Sequence, residues 1–198
     1  MNNMIFGNKD IYAIEVYHQP IDNNSFYMCG KMCIYLHKKI LGDINNEYCH
    51  LFVTYDALKK KIQNLNELEC DFNLSNDADI FNFLDKKLYI LDEDDVRTHE
   101  QICNDMEPYI KFDFMTNAGE TFDRTKSFIY MCKNKRIHIM YQTYWYNENI
   151  GNFENDEIIC TELDKETFLV VTKNFTKWYE EIEKGINEGN TGVRPYIV

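Results

Sequence analysis

The sequence contains few of the residues that interrupt regular structure, with three prolines and eight glycines in 198 residues. No Ser/Gly-rich linker divides it, so we expect one domain over residues 1–189, followed by a tail at residues 190–198. Seven cysteines occur at irregular spacing without a CxxC pair. This pattern argues against a disulfide framework and predicts reduced thiols in a cytoplasmic protein.

Long apolar runs and catalytic motifs are also missing. No run approaches the roughly 18 apolar residues of a transmembrane helix, and Met1, Asn2 and Asn3 lack the basic start of a signal peptide. There is no GxSxG, HExxH, phosphate-loop or dinucleotide motif. Cys29 and Cys33 would lie about 13 Å apart on one strand, too far to share a zinc ion. We predict no enzymatic activity, no cofactor and no metal.

Basic residues are scarce relative to acidic ones. Lys and Arg number 21 and Asp and Glu number 33, which gives a net charge of −12. This balance argues against binding to nucleic acid or to an anionic membrane, because both need cationic side chains. Negative charge steers a protein toward basic partners. The alternative is that the charge only keeps the protein soluble.

The apolar residues, 44% of the chain, are sufficient for a packed core. Alternating patterns predict strands at residues 11–17, with Tyr12, Ile14 and Val16 facing inward, and at residues 26–36. Short links make these strands antiparallel. The clearest hairpin pairs residues 127–133 with 136–145 through an Asn134-Lys135 turn. We expect shorter strands at residues 40–43, 109–114 and 157–162, a possible strand at 68–74, and a polar loop at 147–156.

Helical periodicity appears in three clear places and one ambiguous one. Thr54 is a candidate cap for a helix that ends near Leu65, and residues 75–77 form a cap region for a helix that ends near Leu88. Residues 96–106 show a weak apolar stripe. The clearest helix follows Asp164, and Trp178 is expected to contribute its largest burial. The predicted fold is α+β, with a mainly antiparallel sheet of about five to seven strands packed by this C-terminal helix and two shorter helices.

Two polar clusters are candidates for function. Glu120 and Asp123 can be read as a general acid and base, but a loop in which Asp123 binds backbone N–H groups and pairs with Arg124 is the favoured interpretation. The second cluster is acidic and combines a helix with the run that follows it: Asp77, Asp79, Asp85, Asp92, Glu93, Asp94 and Asp95. A solvated surface is the alternative reading of each of these residues.

Several stretches of the sequence follow a shared pattern, which begins with Met4-Ile5-Phe6-Gly7-Asn8-Lys9-Asp10-Ile11-Tyr12-Ala13-Ile14-Glu15. It continues through residues 30–42 and 120–124 and reaches Phe175 and Trp178, so it spans roughly residues 4 to 185. These stretches resemble the bacterial immunity protein 42 family. The chain differs at Leu36-His37-Lys38-Lys39, where the family pattern has an Asn-Gly type of turn.

The resemblance implies a cytoplasmic antitoxin of a polymorphic toxin or contact-dependent inhibition system. Such a protein binds the C-terminal domain of a cognate toxin, here expected to be a basic nuclease, and blocks it by stoichiometric occlusion. We expect the acidic cluster to contact the toxin, with Tyr144, Trp145 and Tyr146 as aromatic anchors. The alternatives are a small-molecule-binding or hydrolytic α+β protein that uses the Glu120/Asp123 loop, and an acidic scaffold protein. The sequence leaves the oligomeric state open.

Overall fold

The computed structural model describes residues 2–18, 28–45, 49–90, 95–147, 149 and 152–189. Asp92, Glu93 and Asp94, much of the predicted first loop, and the predicted tail at residues 190–198 lie outside these ranges. The described part contains nine strands: β1 (Asn2–Asn8), β2 (Tyr12–His18), β3 (Cys29–Leu36), β4 (Lys39–Leu41), β5 (Cys49–His50), β6 (Thr125–Met131), β7 (Arg136–Asn147), β8 (Asn152–Asn155) and β9 (Ile159–Asp164). The α-helices are α1 (Leu51–Gln63), α2 (Asp77–Leu88), α3 (His99–Ile110) and α4 (Lys165–Gly189).

The first sheet has the antiparallel order β1-β2-β3-β4, with β5 also paired to β3. Tyr12, Ile14 and Val16 are fully buried, as the alternating pattern predicts. The strand predicted to come first is preceded by β1, which pairs with it along its whole length. Gly7 allows the close approach of these strands to α4, because a Cβ there would lie 2.3 Å from the Tyr12 carbonyl oxygen and 2.7 Å from a Val171 methyl.

The β3–β4 turn lacks the expected Asn-Gly sequence and uses His37 and Lys38 instead. Both have positive φ, 47° and 69°, which is the conformation that a two-residue hairpin turn requires. The His37 and Lys38 N–H groups donate to the carbonyls of Ile11 and Lys9, both at 2.9 Å. Tertiary hydrogen bonds therefore hold a turn that the residue types alone disfavour.

The second sheet is also antiparallel, with β7 pairing with β6, β8 and β9. The predicted inward residues Ile129, Ile137 and Ile139 are fully buried. The predicted two-residue turn is wrong by one residue. Cys132 donates to the Arg136 carbonyl and Lys135 to the Cys132 carbonyl, and Lys135 has a φ of 65°. The turn therefore has three residues and ends in a left-handed position.

Three of the secondary-structure predictions are wrong, because tertiary contacts outweigh the local sequence pattern at these places. Thr54 does not cap α1, which begins at Leu51; its buried hydroxyl donates to the Ala118 carbonyl at 2.6 Å. Residues 109–114 are not a strand, because α3 continues to Ile110 and only Asp113 forms a bridge to Phe128. At residues 68–74 a 3-10 helix ends at Leu68 and Glu69 forms a single bridge.

The other helix predictions agree with the structure in position. The Asn76 side chain caps α2 by accepting from the Asp79 N–H at 2.9 Å. The weak stripe at residues 96–106 belongs to α3, which begins with a capping box between Thr98 and Gln101. This box satisfies N–H groups that have no partner within the helix.

The long C-terminal helix α4 packs against the first sheet, the second sheet and α1. Its predicted stripe is present, but Phe168 and Phe175 are fully buried, whereas Trp178 is half-buried and does not make the largest burial. On the other face of the second sheet, α2 packs through Phe81 against Phe128, with ring centroids 5.0 Å apart. The α+β class, the antiparallel pairing and the C-terminal helix are confirmed. The described strands form two sheets with nine strands in place of one sheet with five to seven, and three shorter helices are present where two were expected.

Candidate protein-binding surfaces

Asp77, at the start of α2, is half-buried against the second sheet and not free at the surface. The Tyr130 hydroxyl donates to one carboxylate oxygen at 2.8 Å, and His138 Nδ1 lies 3.0 Å from the other. The hydrogen bond with His138 is the main cause that lowers the pKa of Asp77; burial opposes it and the Tyr130 hydroxyl assists it. This predicted contact residue therefore holds α2 on the sheet.

Asp85, near the end of α2, also forms an ion pair within the protein. Its carboxylate pairs with the Lys126 ammonium of β6 at 2.6 Å, and the Asp85 side chain is only 14% exposed. Asp79 differs, because it lies on the exposed side of the helix. Of the three acidic residues predicted on this helix, Asp79 alone presents its carboxylate to solvent.

Asp95 is the member of the predicted acidic run that the structure describes, and Arg97 neutralises it. The Arg97 guanidinium donates to both carboxylate oxygens of Asp95 and reaches Asp105 at 2.6 Å. The side-chain hydrogen bond from Arg97 lowers the pKa of Asp95 to about 2. This part of the run therefore carries less uncompensated charge than its sequence indicates.

The aromatic candidates lie on the hairpin formed by β7 and β8. Here β7 extends past the last residues that pair with β6 and β9, and β8 accompanies it. Tyr144 and Trp145 are half-buried. Tyr146 lies opposite Phe153 in the register, and its side chain is outside the described part. The predicted loop at residues 147–156 thus contains a strand.

Phe153 is a residue that sequence reasoning missed. It is 61% exposed, and its ring lies 6.1 Å from the Tyr144 ring in an edge-to-face arrangement. The polar composition of residues 147–156 hid this strand, because Phe153 is its one large apolar residue and no alternation marks it. We define the hairpin surface as six residues of this region: Asp123, Tyr144, Trp145, Phe153, Glu154 and Asp156.

Main-chain and side-chain hydrogen bonds fasten this hairpin to the rest of the protein. The Tyr144 hydroxyl donates to the Asp123 carbonyl at 2.6 Å. The Tyr144 N–H donates to the Arg124 carbonyl, and the Asp156 N–H to the Thr143 carbonyl, both at 2.9 Å. Gln142 Nε2 also donates to the Asp156 carbonyl at 2.9 Å. A two-stranded ribbon is marginal alone, so these bonds hold its position.

In the alternative site at Glu120 and Asp123, Glu120 has a structural use. The predicted ion pair between Asp123 and Arg124 does not form among the described residues. The His50 N–H at the start of α1 donates to Glu120 Oε2 at 2.8 Å, and the His50 ring contacts Oε1. Burial raises the pKa of Glu120, but the hydrogen bonds from the backbone and ring of His50 outweigh it and the pKa is lowered. A carboxylate held ionised at a helix N-terminus suits capping, whereas a general acid needs a raised pKa.

Within the described residues, no group of three or more His, Cys, Asp or Glu side chains is arranged to hold a metal ion. No described helix is both long enough and apolar enough to cross a bilayer. Fold and surface together define an acidic α+β protein whose distinctive exposed features are an aromatic hairpin and carboxylates.

Comparison with known proteins gives the family of this chain. A family model described as immunity protein 42 matches residues 4–178, and the chain belongs to that family. It is also similar to a solved structure, the crystal structure of CdiI from Burkholderia dolosa AUO158, with a TM-score of 0.57 and 14% sequence identity over 88% of this chain and 99% of that chain. This likeness shows a shared fold. No curated protein sequence matches the chain.

Proposed function

We propose that the protein is a cytoplasmic immunity protein that binds the C-terminal domain of a cognate toxin and neutralises it by stoichiometric occlusion, without catalysis of its own. The observation that carries the proposal is the family match over residues 4–178. An immunity protein must bind one partner protein, and it does not need to catalyse a reaction. The hydrogen-bonded state of Glu120 is consistent with that requirement.

The charge of the protein narrows the class of toxin. A net charge of −12 favours association with a basic partner and raises the rate of encounter at low ionic strength. Nucleases carry basic clefts because they must bind phosphate groups. The proposed partner is therefore a basic nuclease domain, whose substrate cleft an acidic surface can cover.

Co-expression tests this proposal directly. The toxin domain encoded by the gene beside this one should arrest growth when expressed in a susceptible bacterium. Co-expression of this protein should restore growth, and the two proteins should co-purify in a fixed molar ratio. Failure of both rescue and co-purification would refute the immunity function.

The same assay separates occlusion from the enzymatic alternative. A Glu120→Gln variant that retains its circular dichroism spectrum should protect cells as well as the wild type, because in our proposal Glu120 only supports α1. Loss of protection in a folded Glu120→Gln variant that still binds the toxin would instead favour chemistry at this loop.

A further inference from the structure

Six acidic residues described above fall into two groups that the sequence does not separate. Asp77, Asp85 and Asp95 each have an internal partner: His138, Lys126 and Arg97 respectively. In contrast, no ion pair joins the side chains of Asp123, Glu154 and Asp156 to any other described residue. The residues of the first group would have to break these ion pairs to bind a toxin. The second group is available at no such cost.

We infer that the hairpin surface is where the toxin docks, with Phe153 as its central anchor, and that Asp77 and Asp85 are not contact residues. This inference rests on the proposed immunity function and specifies its interface. The occupant is a basic face of the toxin domain, chosen by complementarity with the exposed Asp123 and Asp156 and with Glu154 on the edge strand β8.

Phe153 has the properties of an anchor residue. A large aromatic side chain that is 61% exposed leaves apolar area in contact with water, and a partner that covers it gains the hydrophobic free energy of burial. Tyr144 supports the ring from one side at 6.1 Å. Binding energy at protein interfaces concentrates on such supported aromatic residues surrounded by polar groups.

The described part of the hairpin is held in place by the protein's own hydrogen bonds. The hydrogen bonds from Tyr144 to Asp123 and from Gln142 to Asp156 connect it to the loop before β6 and to the body of β7. A surface that is already in place loses less conformational entropy on binding than a loop that must fold. The register of β7 and β8 places Phe153 on the same face of the ribbon as Tyr144, and Glu154 on the other face beside Trp145.

Binding measurements with matched variants test the inference. The probe is the purified toxin domain encoded by the neighbouring gene, titrated against the full-length protein. Phe153→Ala should weaken binding by about tenfold or more, as expected for a hot-spot aromatic. Ile110→Ala on α3, where the side chain is 54% exposed, is the matched apolar control and should change the dissociation constant by less than about twofold.

Charge reversal tests the acidic component separately. Glu154→Lys with Asp156→Lys should slow association by about tenfold at low salt, and the loss should shrink as added salt screens the charges. Asp79→Lys with Glu100→Lys makes the same change in net charge on α2 and α3 and should slow association far less.

The outcomes distinguish this inference from the proposed function. If the wild type binds the toxin and the hairpin variants, verified as folded by circular dichroism, bind equally well, the hairpin is not the interface. A larger loss in Asp79→Lys/Glu100→Lys than in the hairpin variants would move the interface to the α2–α3 side. If the wild-type protein does not bind the toxin at all, both the inference and the proposed function fail.

Discussion

Glu15 is a buried carboxylate on the face of the first sheet opposite α4. The side chain is 4% exposed and pairs with the Lys9 ammonium at 2.6 Å. The hydroxyls of Tyr35 and Tyr17 and the amide of Asn3 also donate to it, at 2.7, 3.1 and 3.1 Å. Burial raises the pKa of Glu15, but these hydrogen bonds outweigh it, and the pKa is lowered.

We predict that Glu15→Gln lowers the free energy of unfolding at pH 7 by about 1 to 3 kcal/mol, the usual range for loss of charged hydrogen bonds in a buried site. Because the folded-state pKa lies below the ordinary value of 4.5, the stabilisation by Glu15 is complete above that value and disappears as the pH falls through the lowered pKa. Urea unfolding of both proteins between pH 7 and pH 3 measures this difference.

Asp10→Asn is the matched control for Glu15→Gln. Asp10 pairs with Lys38 at 3.6 Å, and both side chains are largely exposed, so its loss should cost less than about 1 kcal/mol. Equal destabilisation by the two variants, or a Glu15→Gln effect that does not diminish in acid, would contradict the role assigned to the Glu15 network.

At the scale of elements, α3 is the helix with the least tertiary support. None of its residues is buried, and it packs on α2 through contacts such as Tyr109 with Phe83, whose rings are 5.3 Å apart. A helix with few buried apolar side chains opens without global unfolding. The capping box at Thr98 therefore contributes an unusually large part of the stability of α3.

We predict that the amides of α3 exchange with solvent deuterium faster than those of α4. Thr98→Ala should increase the exchange rate of the α3 amides further. Loss of an N-cap costs about 1 kcal/mol, which corresponds to roughly fivefold faster exchange from the open state. Hydrogen–deuterium exchange followed by mass spectrometry measures both effects. The amides of α4 are the internal control, and equal protection of the two helices would show that α3 is not locally unstable.

The elements that could be predicted from the sequence are those whose hydrophobic pattern matches their burial in the folded protein. In α4 the stripe of Phe168, Val171 and Phe175 is long and regular, and β6 and β7 are two largely apolar runs on either side of a short polar turn. In contrast, the apolar stripe of α3 has helical spacing but few strongly apolar residues, and none of its side chains is buried. The strand β8 has one large apolar residue, Phe153, and is stabilised by pairing with β7 and not by burial.

At the scale of the whole molecule, buried residues of both sheets and of α4 form one continuous core. Ile14 and Ile34 enter it from the first sheet, Ile139 from the second, and Phe168 from α4. The Tyr12 ring stacks on Phe168 at 5.4 Å, which joins the first sheet to the helix directly. We propose on this basis that residues 1–189 behave as one cooperative domain.

The two tryptophans make this proposal testable, because Trp145 lies on the β7–β8 hairpin and Trp178 on α4. We predict that Trp145→Phe and Trp178→Phe, each with one remaining tryptophan, give the same urea midpoint by fluorescence and by far-ultraviolet circular dichroism. Replacement by Phe keeps an aromatic ring at each half-buried site. Coincident transitions are the expected two-state result, and a fluorescence midpoint that differs from the circular dichroism midpoint within one variant would mean that the sheets unfold separately.

Hydrophobic periodicity and net charge are properties of the chain that folding does not alter, so the sequence is enough to predict the α+β class, the antiparallel pairing, the positions of α2 and α4, and the acidic balance. Which carboxylates are available depends on contacts that form only when the chain folds. Asp85 and Lys126 are 41 positions apart, and Asp77 and His138 are 61 apart, so no local pattern reveals that they are paired. The same long-range pairing places Phe153 beside Tyr144, and the carboxylates of the hairpin surface form no ion pair with another described residue.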